Sequence, residues 1–335
     1  MGRVVYVNKE SIVDLVRRML AIEYALEQTD KKLKGDLIHA HLVDEETKNV
    51  GIKNMVGWSD SDDWLSDHYQ SYENFSAVVL EGSYGFVPVV GFRGLMWVTL
   101  RSQGEASHAS TPELGRNAVL GMSKALSYTE SDDFQNRIKS PFMSDELLGE
   151  LTIASGTTIV GGEINKVDHD TGEIDKGGYN TIPDWCESTF DIRFPRWDGY
   201  PEGMDELRKR VAEIIESSAS EQAEDIEFES TALKGDFFPP VALIENKETA
   251  MENPLVKTAA LSTKDIFGYD TGIDIAPGIT DAAILYHGTH IPTLVEYGPA
   301  GALSHEPLEF VEKEQVIQGA KAMLNFAVRE IGIID

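Results

Sequence analysis

Positive charge is scarce in this chain: 29 Lys and Arg stand against 57 Asp and Glu in 335 residues, a formal net charge of −28. That deficit excludes nucleic acid and anionic membrane as expected partners, because the protein's own field would repel phosphates. Cysteine is nearly missing. Cys186 stands alone, so no disulfide can form within the chain, and a reducing, cytoplasmic setting is expected. No apolar run approaches the roughly 20 residues of a membrane helix, and the start lacks the basic-then-apolar pattern of an export signal. Internal repeats and low-complexity segments are also lacking.

What remains is a globular composition, with 41% hydrophobic residues and a length that suits two domains. The acidic balance is also that of a protein adapted to concentrated salt. In molar salt the Debye length shrinks to about 3 Å, which screens the self-repulsion of such a surface. A halophilic source is therefore expected, the alternative being an unusually acidic mesophilic protein.

Hydrophobic spacing predicts a first helix over Ser11–Leu26, with a strand over Leu37–Val43 ending at Asp44-Glu45-Glu46-Thr47. A helical turn at Ile52–Met55, a mostly polar loop through Leu65 and a buried strand at Ala77–Leu80 follow. From Phe86 to Glu229 the texture changes to long strands (Phe86–Phe92, Leu95–Arg101, Leu151–Val160, Thr181–Phe194, Ile226–Ser230) interleaved with two helices, one opening near Asn117 and one over Gly203–Ser218. Beyond Asp236 come a helix near Leu255–Ser262, a strand at Pro292–Glu296 and a terminal helix over Lys313–Val328. The expected architecture is an α/β domain split in sequence, residues 1–92 and 236–335, around an inserted α+β sandwich at 93–235.

Candidate chemistry concentrates in two places. Glu45, Glu46, Glu81 and His305 are the candidate base and metal ligands. The three carboxylates end predicted strands, where open α/β sheets bind ligands, and His305 closes the Gly/Pro-rich loop after another. Carboxylates with a neutral imidazole suit zinc. Each residue alone also reads as ordinary polar surface. In the inserted segment, Ser107–Ala118 carries His108 through a tight Pro112–Gly115 turn. Downstream, Gly177–Asp184 contains Asn180 and leads to a strand ending Phe190-Asp191-Ile192-Arg193. Arg193 offers a planar fork for a carboxylate; the other reading is an ion pair with Asp191 or Glu187.

In combination these segments resemble the metallopeptidase and deacylase family of acetylornithine deacetylase, succinyl-diaminopimelate desuccinylase, aminoacylase and carboxypeptidase G. The matching pieces run in the family's order: Asp44–Thr47, Glu81, Ser107–Ala118, Asn180–Pro183 with Arg193, then Gly278–Ala282 and Gly298–His305 followed by Glu309. The resemblance covers nearly the whole chain from residue 8. It implies a zinc-peptidase-like α/β catalytic domain with an inserted lid that pairs two chains into a homodimer. It also implies two zinc ions, with cobalt or manganese as other candidates, and a small N-acyl amino acid or peptide as substrate. Residue by residue, Glu45 resembles the general base, and Glu46, Glu81 and His305 the metal ligands. Arg193 and Asn180 resemble the substrate-binding pair, and His108 the oxyanion donor reaching across the dimer.

The chain departs from the family's pattern at its start. Gly2–Glu10 reads as the lead-in to the first helix, with Val7 where a metal-bridging Asp is expected, and the family's earlier His-x-Asp segment is not in the chain. The catalytic domain is therefore expected to be N-terminally incomplete and hydrolysis slight. His39 and His41 are read as ordinary strand residues rather than substitute ligands. A non-catalytic dimer that binds carboxylate-bearing amino-acid derivatives through Arg193 and Asn180 is the alternative function, and a decayed gene product a third.

The charge balance generates a first prediction. The melting temperature should rise as KCl is raised from about 0.1 M to molar levels, where screening is nearly complete; a temperature that stays flat or falls in calorimetry would sink the salt-adapted reading.

Overall fold

The computed structural model describes residues 3–8, 22–45, 48–58, 63–69, 71–83, 85–162, 164–167, 174–200, 202–232, 235, 237–302, 307–308 and 310–334. Contacts divide the chain into two compact units: residues 1–93, 146–148 and 240–335 form the first, and 94–145 with 149–239 the second.

The first unit starts with a strand, β1 (Arg3–Asn8), within the Gly2–Glu10 segment, to which the sequence assigned no element. Its run of Val, Tyr and Val has the branched and aromatic composition that fits a pleated strand. A helix covering residues 22–29 (α1) precedes β2 (Leu37–His41), and the short helices α2 (Val50–Val56) and α3 (Trp64–His68) precede β3 (Phe75–Val79). The polar loop expected through Leu65 thus gives way to α3 at Trp64, because the Asp63 side chain accepts from the Ser66 amide as its N-cap. Next comes β4 (Val89–Phe92), shorter than the predicted Phe86–Phe92.

The second unit opens with β5 (Gly94–Gln103) and the short β6 (Ser107–His108). Helices α4 (Ala118–Tyr128) and α5 (Asp132–Lys139) lead to β7 (Thr152–Gly161). Pro183 splits the predicted Thr181–Phe194 strand into β8 (Thr181–Ile182) and β9 (Trp185–Phe194). Helix α6 (Met204–Gln222), β10 (Glu227–Thr231) and β11 (Phe237–Phe238) complete the unit. The sheet order is β10-β5-β9-β7, all antiparallel, with β11 beside the start of β5. Strict alternation along β5 and β9 buries Met96, Val98, Leu100, Phe190, Ile192 and Phe194 in a core shared with Met122 of α4 and with Leu207, Val211 and Ile215 of α6. Helix α5 was not expected. Only Phe134 and Ile138, one turn apart, enter that core, so its apolar stripe is too thin to register as a period.

The chain then returns to the first unit through β12 (Val241–Ala242), α7 (Pro254–Phe267), β13 (Asp274–Ala276), α8 (Ala282–Thr289), β14 (Thr293–Leu294) and α9 (Lys313–Ile331). Helix α7 is bounded by residues of clear function. Asn253 accepts from the amides of Leu255 and Val256, Pro254 takes the first turn, and Gly268 closes the helix at φ +81°. Helix α8 lies in a stretch read only as punctuated by Gly and Pro. Ala282, Ala283, Ile284 and Leu285 are all buried, which erases the amphipathic signal. The main sheet is parallel, in the order β14-β3-β1-β2, and a smaller one runs β12-β4-β13. Val78, Leu80, Phe86, Val256, Leu294, Met323 and Phe326 belong to one core. No helix among the described residues is long and apolar enough to cross a membrane.

Two imidazoles in this unit are held neutral. Burial, reinforced by His41, lowers the pKa of His39 to about 4. Burial also lowers that of His287 to about 4, although its Nε2–H donates to the Pro240 carbonyl at 2.9 Å, which opposes the shift. In the unfolded chain both would take up a proton near pH 6.5. Their contribution to stability is therefore complete above about pH 6.5 and lost as the pH falls toward 4. The melting temperature should drop over that window, and His287→Gln should lessen the drop. A curve flat from pH 7 to 5 would contradict the assignment.

Candidate active site

Hydrogen bonds tie the start of the acidic loop to the residues just behind it. Asp44 and Asn49 both adopt left-handed backbone angles, φ +66° and +54°, a region that Asp and Asn tolerate best among residues with a side chain. The Asn49 amide donates to the Asp44 carbonyl at 2.6 Å, and the Lys48 amide does so at 3.2 Å. Glu45 is half-buried within this loop. Helix α2 presses against the loop's start: a Cβ on Gly51 would lie 2.6 Å from the Val43 nitrogen, so only glycine fits there.

The Asn49 side chain does not cap its own helix. Its Nδ2 donates to the Glu45 carbonyl at 3.0 Å and to Asp281 Oδ1 at 3.0 Å. Asp281 is only 3% exposed and belongs to the Gly278–Ala282 segment, whose Thr280 hydroxyl donates to the Val295 carbonyl. One amide thus ties the Glu45 loop to the start of α8.

Glu81 follows β3, half-buried, after Leu80. The expected Gly/Pro-rich loop crosses it directly: a Cβ on Gly298 would stand 2.3 Å from the Glu81 carbonyl oxygen. The Ser83 hydroxyl donates to the Gly298 carbonyl at 3.0 Å, and the Phe86 amide donates to the same oxygen at 2.7 Å. Gly301 and Ala302 continue that loop as a two-residue strand. Glu46, His305 and Glu309 lie outside the described residues.

In the second unit, β6 and β8 pair with His108 opposite Thr181. A turn follows in which the Thr111 amide donates to the His108 carbonyl at 2.9 Å. That turn carries Ser110 back to the ring: its amide donates to His108 Nδ1 at 3.1 Å, and its hydroxyl is 2.7 Å from the same nitrogen. The Asn180 amide group is 3.4 Å from His108 Nε2. These two predicted residues are neighbours, both exposed. Arg193 holds the ion pair that was the other reading of it, with Asp191 as the partner: Nε and Nη2 donate to the two carboxylate oxygens at 2.6 and 3.0 Å. Burial alone would raise the Asp191 pKa. Hydrogen bonds from Arg193 and from the Trp97 indole outweigh it and hold the carboxyl below its usual range.

Carboxylates and imidazole are the donors that zinc accepts. Among the described residues, however, no three His, Cys, Asp or Glu side chains gather as a metal site, and two of the three expected ligands are outside them. Glu81 by itself cannot define such a centre, so no chemical step is drawn through a metal.

A sequence profile of Peptidase family M20/M25/M40 matches residues 17–329. The chain belongs to this family. An uncharacterized metallohydrolase of Methanocaldococcus jannaschii is 22% identical over 237 residues, 69% of this chain and 51% of that relative, so the match spans about half the relative's length. Among solved structures, a tripeptidase of Staphylococcus aureus aligns over 99% of this chain and 80% of its own at 16% identity, with a TM-score of 0.65. Human carnosine dipeptidase 1 aligns over 98% and 80% at 13% identity, with a TM-score of 0.63. YXEP of Bacillus subtilis, described as a dinuclear metal-binding peptidase of the M20 family, aligns over 98% and 82% at 13%, with a TM-score of 0.60. The fold is therefore the family's α/β catalytic domain with an inserted α+β unit.

Sequence reasoning missed Asn49 and Trp97, and it included Asp281 within the Gly278–Ala282 piece without giving it a role. Asn49 carried a usable signal: an Asn close behind an acidic run, just ahead of a helix, is a residue type that tolerates a left-handed turn. Removing its amide in Asn49→Ala should cost about 1–3 kcal/mol in urea unfolding, the range for breaking hydrogen bonds to buried groups. In combination with Asp281→Asn the effects should be non-additive; strict additivity would show that the two residues are uncoupled.

Proposed function

We propose that this chain is a slow hydrolase of amide bonds in N-acyl amino acids or small peptides that carry a free carboxylate. The observation that carries the reading is the tether on the acidic loop. A half-buried Glu45 is held by Asn49 to the motif at Asp281, inside a profile match that runs nearly the full chain. Such a half-buried carboxylate, fixed through its backbone, suits a general base.

Glu45 takes a proton from the attacking water as the new C–O bond forms, then returns it to the nitrogen as the C–N bond breaks. His108 donates from its ring to the developing oxyanion. Asn180, beside that ring, orients the substrate, and Arg193 receives its carboxylate with the guanidinium hydrogens that Asp191 leaves free. Glu46, Glu81 and His305 are the proposed ligands of zinc, or of cobalt or manganese; a bound divalent ion supplies electrophilic polarisation of the amide carbonyl. The working form is a homodimer paired through the inserted unit. Its edge strand β7 supports this by leaving Ile159 and Val160 52% and 45% exposed.

The test is turnover of a panel of N-acyl amino acids and dipeptides with zinc supplied. Glu45→Gln should lower kcat about 100-fold or more with the urea midpoint unchanged. Undiminished turnover in that variant would remove Glu45 from the chemistry. Binding of the panel without hydrolysis at any zinc level would replace the enzyme by a binding protein.

A further inference from the structure

The face of the second unit's sheet that turns away from its core carries a short chain of side chains centred on Arg193. Register pairs Asp191 of β9 directly with Trp97 of β5, and Arg193 with Leu95. The two-residue period puts Asp191 and Arg193 on one side of β9, while Phe190 and Ile192 enter the core. Across the strands, Trp97 Nε1 donates to Asp191 Oδ2 at 2.9 Å. Asp191 thereby accepts from the indole on one oxygen and from Arg193 on both.

The guanidinium is gripped from its side. Of its five N–H groups, Nε gives its one hydrogen and Nη2 gives one of two to Asp191. Both hydrogens of Nη1 and the outer one of Nη2 remain. Of these, one hydrogen of Nη1 and the outer one of Nη2 lie on the end of the group, parallel to each other, in the arrangement that matches a second carboxylate bidentately. Side-chain exposure of 27% for Arg193 and 21% for Asp191 leaves that end open while the pair itself is partly withdrawn from water.

We propose that Trp97 and Asp191 are positioning residues that hold Arg193 side-on, so that its free end becomes a fixed fork selecting substrates with a carboxylate over their neutral carboxamides. The inference rests on the reading of Arg193 as the substrate's carboxylate site. Two effects of Asp191 oppose each other. Its charge competes with the incoming carboxylate, and its grip removes rotamer freedom that Arg193 would otherwise surrender on binding. Hydrogen bonds from Arg193 and the indole already engage both Asp191 oxygens, which blunts the competition, whereas the rotamer entropy of Arg is among the largest of any side chain. Positioning therefore outweighs competition. The indole matters because it fixes the carboxylate that fixes the guanidinium, without touching the substrate itself.

The experiment compares KM and kcat for an N-acyl amino acid and for its carboxamide analogue, in the parent and in two near-isosteric variants. The parent should favour the carboxylate. Trp97→Phe, which keeps the ring and loses the donor, should raise KM for the carboxylate about 3- to 10-fold. Asp191→Asn should raise it about 10-fold or more. In both, kcat should hold within about twofold and the carboxamide's constants should not move, a split that a general loss of structure would not give. A parent indifferent to the carboxylate would overturn the assignment of Arg193 itself. A parent that discriminates, with variants that keep the same ratio, would overturn only the positioning role. A lower KM in Asp191→Asn would likewise overturn it, since Asp191 would then be a competitor.

Discussion

The first unit depends on one close approach of two backbones. Gly298 lies so near the Glu81 carbonyl that no side chain could stand there, and the Ser83 and Phe86 bonds to Gly298 zip the two segments together. Glu81 leaves a parallel sheet whose carboxyl end is the usual ligand face, so the crossing determines which loop meets that end. Phe86 has a left-handed backbone, φ +59°, costing about 1–3 kcal/mol for a bulky residue. Its ring is fully buried against Phe267 and Tyr297, its carbonyl accepts from Thr263, and Gly319 leaves room for it on α9. The surrounding packing sustains the strain.

The two candidate centres solve a common problem differently. A chain with so many carboxylates must give particular ones a fixed geometry. Asp281 is fixed by burial together with a neutral amide, Asn49. Asp191 is fixed by a cation and an indole, and the result is a lowered pKa. Glu113, by contrast, stands exposed and contributes to the acidic surface.

Much of this was legible in the residues because local signals and burial agree. The apolar run Ala77–Leu80 reports a strand buried on both faces, and the alternation of β9 and the periodic stripe of α9 each report an element whose faces differ in polarity. Helices α5 and α8 failed to register for opposite reasons: one buries two residues and the other buries nearly everything. Glu45, Glu81, His108 and Asn180 could be singled out from short motifs. Asn49 acquires its meaning only from Asp281, 232 residues away, and Trp97 only from a strand register that no local pattern encodes. The two readings of Arg193 differed in partner, and a residue two positions away on its own strand supplied it.

The inserted unit has a further property in the way it begins and ends. Its first strand opens at Gly94 and its last, β11, returns to pair Phe238 with Leu95 and Phe237 with Met96. The two ends of the insertion therefore lie on adjoining strands, one ladder apart. During synthesis this unit completes its sheet while the chain is still being extended. The parallel sheet of the first unit, by contrast, waits for β14 near the end of the chain to reach β3. The order of translation thus places the closed, locally paired module first and leaves the surrounding one as an open half that is finished last.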